Sequence, residues 1–495
     1  MTAGLMILAS YGIENMYLTY NPQITFFKMV YKRHTNFSIE SIPQFFNIQA
    51  NFSNKVSCII SKNGDLINKI YVVVTLPNIQ SLPNDIVIRW VDYIGYVLIK
   101  NVELEIDGKI IDKHCSDWFY IINELNKNNN NNGLNKMIGN IKLLTDYTKY
   151  KNDYTLYIPL EFWFCKYIVQ SLPIIALENS EIKINIEFND IENCVITGPT
   201  HYICISDTIC LFKLFEFIQI NDSNHYIIFI NFNLQNMKMG YIKTNNNLSL
   251  KINDKLYGIS SFFETKVYNP NNNIYLDIIS NLEITNLTKS NTDFRNIYNI
   301  VLKNAFLFID YIYLDNIERK KFIKSEHEYL ISICQFDNDK NLYNTNNKIK
   351  LGYFFPTKEF IIRSQLDYMI NQYYKNHFNY TTSIDNNKSK SLIKKIQIKL
   401  NGFNRETNLD KELYTYIQSL NYHNFITPKG VFLYSFSFYP SDYQPSGSAN
   451  LTKIDDISID LTLEPISYDN KAKIRVYAIS YNVLKIKNGL AKLLF

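Results

Sequence analysis

The sequence predicts an all-β protein made of two sandwiches in tandem, and both its composition and its apolar pattern support this. Of the 495 residues, 38 are Tyr and 32 are Phe, and aromatic and β-branched side chains fit strands better than helices. Several segments alternate strictly between apolar and polar residues, so that the apolar side chains of each segment share one face of a strand. The clearest of these segments are 102–107, 182–188, 396–401 and 457–463.

Turn and helix signals fit the same fold class. The pairs Asn63-Gly64, Asp107-Gly108 and Asn401-Gly402 follow or interrupt apolar runs, and glycine tolerates the positive φ that a tight hairpin requires. Antiparallel connections are therefore expected. Helices are predicted over 117–125, which begins with an acidic residue suited to a helix N-terminus, and over 409–420.

An internal repeat indicates that the fold occurs twice. The segment LIKNVELEIDG at 98–108 aligns without a gap to LIKKIQIKLNG at 392–402. Each copy is followed by a predicted helix and then, in the same order, by an aromatic strand, an alternating strand and a Tyr-rich strand. In the first half these strands are 160–164, 182–188 and 306–314, and in the second half they are 434–438, 457–463 and 474–481.

Short strands separated by turns predict two eight-stranded jelly rolls, a fold with few exposed sheet edges, with helices confined to loops. The first domain carries a long extra segment, about 189–292, which has no counterpart in the second. We interpret it as an insertion at a loop, where no core is disrupted. Strands are predicted within it over 226–232 and 274–279. The predicted limits are an N-terminal arm 1–20, a first jelly roll domain 21–316, a connector 317–329, a second jelly roll domain 330–489 and a C-terminal tail 490–495.

The sequence carries no signature of enzyme chemistry, and no catalytic, cofactor-binding or metal-binding residue is predicted. The net charge of +5 comes from 51 basic and 46 acidic residues without a dense basic stripe, which argues against direct, sequence-specific binding of nucleic acid. Glycine-rich motifs that cradle phosphates are absent. His327-Glu328 lacks the second histidine of a zinc-binding helix. Neither a cofactor nor a metal is therefore expected.

Two groups of residues have the chemistry of a possible active site. His114, Cys115 and Asp117 are the residue types of a nucleophilic set, and Glu103 with Glu105 could act as the carboxylate pair of a glycosidase. The residues of the first group are neighbours in sequence, however, and such neighbours seldom converge in space. The second group lies on an acidic strand face, which is usually solvated and discourages edge pairing. We interpret both groups as structural, and enzyme activity is not expected.

Several longer segments, spread along nearly the whole chain outside the insertion, carry recognisable motifs. The first is YLTYNPQITFFKMVYKRHTNFSIES at 17–41, and one of the last is LYSFSFYPSDYQPSGSANLTKID at 433–455. Together these segments resemble the major capsid proteins of nucleocytoplasmic large DNA viruses. The others lie at 61–77, 92–118, 157–165, 171–188, 310–322, 327–331 and 476–489.

The resemblance implies a double jelly roll with a structural role. In that family three copies form a pseudo-hexagonal homotrimer, the capsomer, and capsomers tile an icosahedral shell. The implied partners are further copies of the chain, neighbouring capsomers, minor capsid and penton proteins, and an internal viral membrane for the apolar stretch 4–9. The implied location is the virion after assembly in the host cytoplasm, with the 189–292 insertion on the outer surface.

Other functions stay open at this point. Several positions depart from the pattern of the family, namely Tyr20, 448–449, 451–453 and the tail 490–495. These departures leave a minor capsid paralogue or a transient double jelly roll membrane scaffold as alternatives. A carbohydrate-binding or glycosidase sandwich is a more distant alternative. Glycan binding by the isolated trimer would support it, because the aromatic strands could then serve as sugar-stacking surfaces rather than as core.

Overall fold

A computed structural model describes residues 33–495, apart from gaps at 80–86, 127–131, 199–200, 207–209, 214–215, 224–225, 234–237, 244–249, 252, 268–299, 371–374, 384–388, 406–408, 424–425 and 466–470. Before residue 33 it describes 6, 9, 19, 21–22 and 27. Most of the predicted N-terminal arm, including most of the apolar stretch 4–9, therefore lies outside the described residues.

The strands are numbered in chain order. Those up to residue 198 are β1 (Phe37–Phe45), β2 (Lys55–Ile59), β3 (Leu66–Leu76), β4 (Val87–Trp90), β5 (Ile99–Ile106), β6 (Lys109–Cys115), β7 (Tyr154–Pro159), β8 (Ile182–Phe188) and β9 (Val195–Gly198). The next are β10 (His201–Cys204), β11 (Phe217–Ile220), β12 (Tyr226–Asn233), β13 (Lys238–Lys243), β14 (Lys255–Gly258), β15 (Glu264–Lys266) and β16 (Asn304–Leu314).

The remaining strands belong to the second half of the chain. They are β17 (His327–Phe336), β18 (Lys340–Leu342), β19 (Asn346–Leu351), β20 (Pro356–Leu366), β21 (Ile393–Leu400), β22 (Phe403–Asn404), β23 (Leu409–Asp410), β24 (Val431–Ser435), β25 (Ala449–Asn450), β26 (Ile457–Leu463), β27 (Ala472–Lys487) and β28 (Leu490–Leu493).

Helices are short and connect the strands. They are α1 (Ile94–Leu98), α2 (Ser116–Leu125), α3 (Asn132–Met137), α4 (Lys142–Thr145), α5 (Trp163–Lys166), α6 (Ile191–Cys194), α7 (Asn316–Lys324) and α8 (Gln418–Tyr422). Ile168–Gln170, Ile174–Ala176, Asp367–Ile370 and Leu451–Lys453 form 3-10 turns, and Leu413–Ile417 forms a π-helix. The predicted helix over 117–125 is confirmed as α2, and the one over 409–420 is confirmed from residue 413 onward.

The two halves of the chain have the same strand order. In the first half the sheets run β1-β16-β3-β7 and β2-β8-β5-β6, and in the second they run β17-β27-β20-β24 and β19-β26-β21-β22. Counting only these strands, each half pairs its first, eighth, third and sixth strands in one sheet and its second, seventh, fourth and fifth in the other. This is the jelly-roll order, so the predicted pair of jelly rolls is confirmed.

The predicted alternating strands and hairpins lie at equivalent places in the two jelly rolls. The alternating segments form β5 and β8, which pair with each other, and β21 and β26, which also pair. Asp107 and Gly108 join β5 to β6 with φ of 51° and 78°, and Asn401 and Gly402 join β21 to β22 with φ of 49° and 79°. Two successive positive φ values are those of a type I′ turn, so these two hairpin predictions are confirmed. The third is wrong, because Asn63 and Gly64 lack positive φ and lie between β2 and β3, which belong to different sheets.

The predicted aromatic strand over 160–164 is wrong. The strand in this region is β7, which ends at Pro159, and residues 163–166 form the short helix α5. Phe162, Trp163 and Phe164 are all buried, with Phe162 and Phe164 stacked at 5.9 Å between ring centroids. Three consecutive buried rings cannot all point inward from a strand, whose side chains alternate between two faces. The counterpart over 434–438 overlaps only the last two residues of β24.

The sheet β17-β27-β20-β24 is buried on both faces. On β27, Val476 and Ala478 pack in the core of the second jelly roll, while Tyr477 and Ile479 between and after them pack against the first jelly roll. Neighbouring strands divide in the same way, because successive side chains point to opposite faces. The first jelly roll thus covers the outer face of this sheet, which a sandwich alone would leave exposed to water.

The inserted segment contains a separate antiparallel sheet, β10-β13-β12-β11-β14-β15. It has an apolar cluster of its own that includes Ile218, Tyr241 and Leu256. The predicted strand over 226–232 is confirmed as β12, and the one over 274–279 lies outside the described residues. Most of the predicted connector 317–329 is α7 with the start of β17, and Leu490–Leu493 of the predicted tail pair with β27. The exact domain limits stay a prediction.

Candidate functional site at the junction of the two jelly rolls

A buried cluster of charges joins the two jelly rolls. Asp117 lies in the first turn of α2, Arg363 lies on β20 and Arg475 on β27. Arg363 Nη2 lies 2.6 Å from Asp117 Oδ2 and 2.8 Å from Asp339 Oδ1. Arg475 Nη1 lies 3.4 Å from Asp117 Oδ2, and its Nε lies 2.9 Å from Asp339 Oδ1. The cluster therefore ties a helix start in the first jelly roll to two central strands of the second.

Hydroxyl groups complete the surroundings of Asp117. Tyr380 Oη donates to Asp117 Oδ1 at 3.2 Å, and Tyr477 Oη donates to Oδ2 at 3.4 Å. Burial alone would raise the pKa of the Asp117 carboxyl, but the nearby Arg363 and Arg475 outweigh burial and hold this pKa below its ordinary value. Burial raises the pKa of both tyrosines well above the ordinary value, so each hydroxyl keeps the proton it donates.

Two further hydrogen bonds cross the junction from the loop that follows β20. His377 Nε2 donates to the backbone oxygen of Asn193 at 2.8 Å. Lys375 Nζ donates to the backbone oxygen of Val195 at 2.7 Å. Burial lowers the pKa of His377 to about 4 and that of Lys375 to about 8. Near neutral pH the imidazole is therefore uncharged. A buried position with a single carbonyl acceptor favours this neutral form.

A second polar group also lies where the two jelly rolls meet. His423, just after α8, contacts Glu359 on β20 with 2.7 Å between Nε2 and Oε2. Its Nδ1 lies 3.1 Å from Ser441 Oγ. Burial would raise the pKa of Glu359, but His423 and Lys358 outweigh it and lower this pKa, so the carboxyl is ionised. Burial lowers the pKa of Lys358 to about 8.

This group borders a cavity of about 310 Å³ that both jelly rolls line. The first contributes Glu161, Trp163 and Lys166, and the second contributes Lys358, His423, Ser441 and Tyr443 among others. Burial raises the pKa of the Glu161 carboxyl above its ordinary value, although Lys166 acts against this. A cavity with aromatic walls and a few convergent polar groups has the general character of a small-molecule site.

His114, Cys115 and Asp117, the residues considered as a possible nucleophilic set, do not converge. His114 Nε2 lies 3.1 Å from Asp112 Oδ2, and its ring stacks on Phe162 at 4.9 Å. Cys115 points with Asp117 toward the charged cluster, where burial raises the pKa of its thiol. A neutral thiol is a weak nucleophile. Each of the three residues makes structural contacts, and the histidine and the thiol serve different neighbours.

Glu103 of the acidic pair on β5 lacks the raised pKa of a general acid. Glu103 lies 2.9 Å from Lys113 Nζ and 3.4 Å from Lys55 Nζ. Although burial acts to raise the pKa of Glu103, these two lysines lower it overall. Glu105 accepts a hydrogen bond from Asn185 Nδ2 at 2.8 Å. A glycosidase acid must stay protonated near neutral pH, and Glu103 is held in the charged form.

His327 and Glu328 lie on β17 and also contact structural partners. His327 Nε2 donates to the backbone oxygen of Phe322 at 2.7 Å. Glu328 Oε1 lies 2.7 Å from Lys485 Nζ on the neighbouring strand β27. Among the described residues, no group of three or more His, Cys, Asp and Glu side chains is arranged to hold a metal ion. Over the same residues, no helix is long and apolar enough to cross a membrane.

Sequence analysis missed Arg363, Arg475 and His423, which organise the junction. None of them belongs to a recognised motif. The available signal was a charged residue inside an otherwise apolar strand, as in FIIRSQL at 360–366. A charge buried in a sheet needs a partner, but the sequence does not show that its partner is Asp117, more than two hundred residues earlier.

Two family models match this chain, one on each jelly roll. The major capsid protein N-terminus matches residues 25–214, and the large eukaryotic DNA virus major capsid protein matches residues 318–492. A curated relative, probable capsid protein 4 of Acanthamoeba polyphaga mimivirus, is 38% identical over 100% of this chain and 99% of its own length. The chain belongs to the major capsid protein family of large eukaryotic DNA viruses.

Solved structures of capsid proteins share the fold of this family member. The Faustovirus major capsid protein superposes with a TM-score of 0.67 at 12% identity, covering 98% of this chain and 96% of the other. PBCV-1 VP54 superposes with a TM-score of 0.63 at 24% identity, covering 95% of this chain and 100% of the other. At these identities the likeness shows the double jelly roll fold alone.

Proposed function

We propose that this chain is the structural subunit of an icosahedral shell, and that three copies form a pseudo-hexagonal capsomer. The observation that carries the proposal is the identical strand order of the two jelly rolls. Two equivalent domains in each of three chains give six nearly equivalent corners. A closed threefold assembly can then pack in a hexagonal array, in which each capsomer meets its neighbours through similar surfaces.

The junction supports this proposal because it makes the two jelly rolls a single building block. Arg363 and Arg475 of the second roll bind Asp117 of the first in a buried position. The apolar face formed by Ile361 and Tyr477 packs against the core of the first roll. A six-cornered trimer requires a fixed angle between the two rolls, since a hinge between them would let the positions of the corners vary.

Partners in the shell are proposed to be neighbouring capsomers, minor capsid and penton proteins and the internal membrane, with the particle assembled in the host cytoplasm. An apolar stripe on β1 supports contact with a neighbour: Phe37, Ile39 and Phe45 are 50%, 56% and 69% exposed. They share one face because they are separated by even numbers of residues. β1 also lies at the edge of its sheet among the described strands, where pairing or cover is usual.

Negative-stain imaging of the purified chain tests the proposed function. We expect three-lobed particles with hexagonal outlines, because each lobe carries two jelly rolls. Particles of one or two lobes at micromolar concentration would contradict a trimeric capsomer. The substitution of Ile39 by Lys should weaken contact between subunits or capsomers without unfolding the chain, since the side chain is exposed. Substitution of the exposed Ile110, on β6 away from this stripe, is the control.

A further inference from the structure

Ser441, His423 and Glu359 form a hydrogen-bonded chain that the shell function does not use. Ser441 Oγ lies 3.1 Å from His423 Nδ1, and His423 Nε2 lies 2.7 Å from Glu359 Oε2. An ionised carboxylate only accepts hydrogen bonds. In the neutral imidazole the proton is therefore on Nε2, and Nδ1 is left to accept the proton of the Ser441 hydroxyl. The three side chains therefore form a sequence of a hydroxyl, a base and a carboxylate that orients the base.

All three residues are held by the fold. Glu359 belongs to β20, a strand inside its sheet, and the backbone N–H of His423 donates to Ser419 O at 2.9 Å. The loop that carries Ser441 is fixed on both sides of the junction. Lys358 Nζ donates to the backbone oxygen of Pro440 at 2.6 Å, and the Tyr167 hydroxyl of the first jelly roll donates to the backbone oxygen of Ser441. Such support favours a pre-organised site.

A small substrate can reach the serine. Ser441 is exposed, whereas His423 and Glu359 are buried. All three border the 310 Å³ cavity, which is near the lower end of the roughly 300–1,000 Å³ range of small-molecule sites. Lys166 lines the same cavity, and its positive charge acts to lower the pKa of both Glu161 and Glu359. This cation can face negative charge that develops beside Ser441.

We propose that the inter-roll cavity is an acyl-transfer site that cleaves small, activated carboxylic esters, with Ser441 as nucleophile, His423 as general base and Glu359 as positioning residue. Ser441 Oγ forms a bond to the ester carbonyl carbon while its proton passes to His423 Nδ1. The bond from that carbon to the alcohol oxygen then breaks, and His423 returns the proton to the leaving alcohol. Water repeats the sequence, which releases the carboxylic acid and restores the serine.

A fluorophosphonate probe tests the nucleophile on the full-length assembled protein, because it phosphonylates an activated serine and releases fluoride. Peptide mass spectrometry should place the label on Ser441, and Ser441→Ala should abolish it. His423→Gln should slow labelling by about 100-fold, the typical contribution of a general base. His327→Gln, which removes an imidazole that does not line the cavity, is the matched control and should label at the normal rate.

Hydrolysis of p-nitrophenyl acetate tests the role of Glu359. Glu359→Gln should lower kcat with little change in KM, since the carboxylate orients the base and does not touch the ester. Native mass measurement of each variant checks that assembly is intact, so failure of this site and failure of the shell proposal are distinguishable. An unlabelled protein, a label elsewhere, equal labelling of Ser441→Ala or His423→Gln, or an unchanged kcat in Glu359→Gln would overturn the acyl-transfer site.

Discussion

At the residue scale, Asp117 is the side chain on which the junction most depends. It meets Arg363 and Arg475, and only the charged form satisfies both. Asp117→Asn should lower the free energy of unfolding by about 3–5 kcal/mol, because it leaves buried guanidinium charge without a full partner. Chemical denaturation of the purified protein measures this. Asp153→Asn, which breaks only an exposed pair with Lys303, should leave stability unchanged; equal losses in the two variants would contradict the account.

The His377 imidazole should make the protein sensitive to mild acid. Its pKa is about 4 in the fold, chiefly because of burial, against about 6.5 in an unfolded chain. Between these values the unfolded state binds more protons, so stability falls as pH is lowered from about 6.5 to about 4. His377→Gln should flatten the dependence of the unfolding midpoint on pH in this window, and exposed His34→Gln should not. Parallel curves for wild type and His377→Gln would refute this.

Some single residues were predictable from sequence and others were not. The turns at Asp107-Gly108 and Asn401-Gly402 can be predicted from the pairs themselves, because few other pairs of residues adopt positive φ at two successive positions. Arg363 depends on a partner in the other jelly roll, and its sequence neighbours contain no trace of that partner. The same holds for Ser441 and His423, whose contact depends on how a loop folds over the cavity.

At the scale of elements, alternation predicts strands that have one wet face and fails where both faces are buried. β8 alternates strictly and its bounds match the prediction residue for residue. β20 is buried almost throughout, so its side chains carry no period-two signal. The strand predicted from the aromatic run at 162–164 was wrong for a related reason. The preference of aromatic residues for strands reflects burial, and the residues of a short buried helix are buried as well.

The two faces of β20 can be separated by neighbouring substitutions. Ile361 packs toward the first jelly roll and Ile362 toward the second core, and both are fully buried. Ile361→Ala and Ile362→Ala should each lower the free energy of unfolding by about 2–5 kcal/mol. Hydrogen exchange should show faster exchange at β6 and α2 only for Ile361→Ala, and at β21 and β26 only for Ile362→Ala. The same exchange pattern in both variants would argue against the assigned faces.

The inserted sheet should be dispensable for the double jelly roll. Among the described strands, those of the insertion pair with each other, and they enclose an apolar cluster of their own. Two residues of the inserted sheet also contact the sandwich cores: Ile228 packs in the larger core, and Phe217 packs against both. We expect a variant in which a short Gly-Ser linker replaces 199–299 to fold and assemble, since insertions at loops disrupt no core. Its circular dichroism spectrum and its native mass should be those of a folded, assembled protein. Aggregation of this variant would show that the insertion is integral.

At the scale of the whole molecule, the junction explains why one chain carries two jelly rolls. The outer face of β17-β27-β20-β24 would expose apolar side chains such as Tyr477 if the second roll stood alone. Burying this face against the first roll stabilises both and fixes their relative position. The internal repeat made this architecture predictable, whereas the orientation of the two rolls rests on contacts between distant residues that no local pattern reveals.

Native mass measurement of the purified chain tests the central claim most directly. If two fixed jelly rolls per chain assemble around a threefold axis, the dominant species at micromolar concentration has a mass near three times 58.3 kDa. Obligate interfaces of several thousand Å² keep such a species intact on dilution. A persistent monomer, or a dimer as the main species, would contradict the claim.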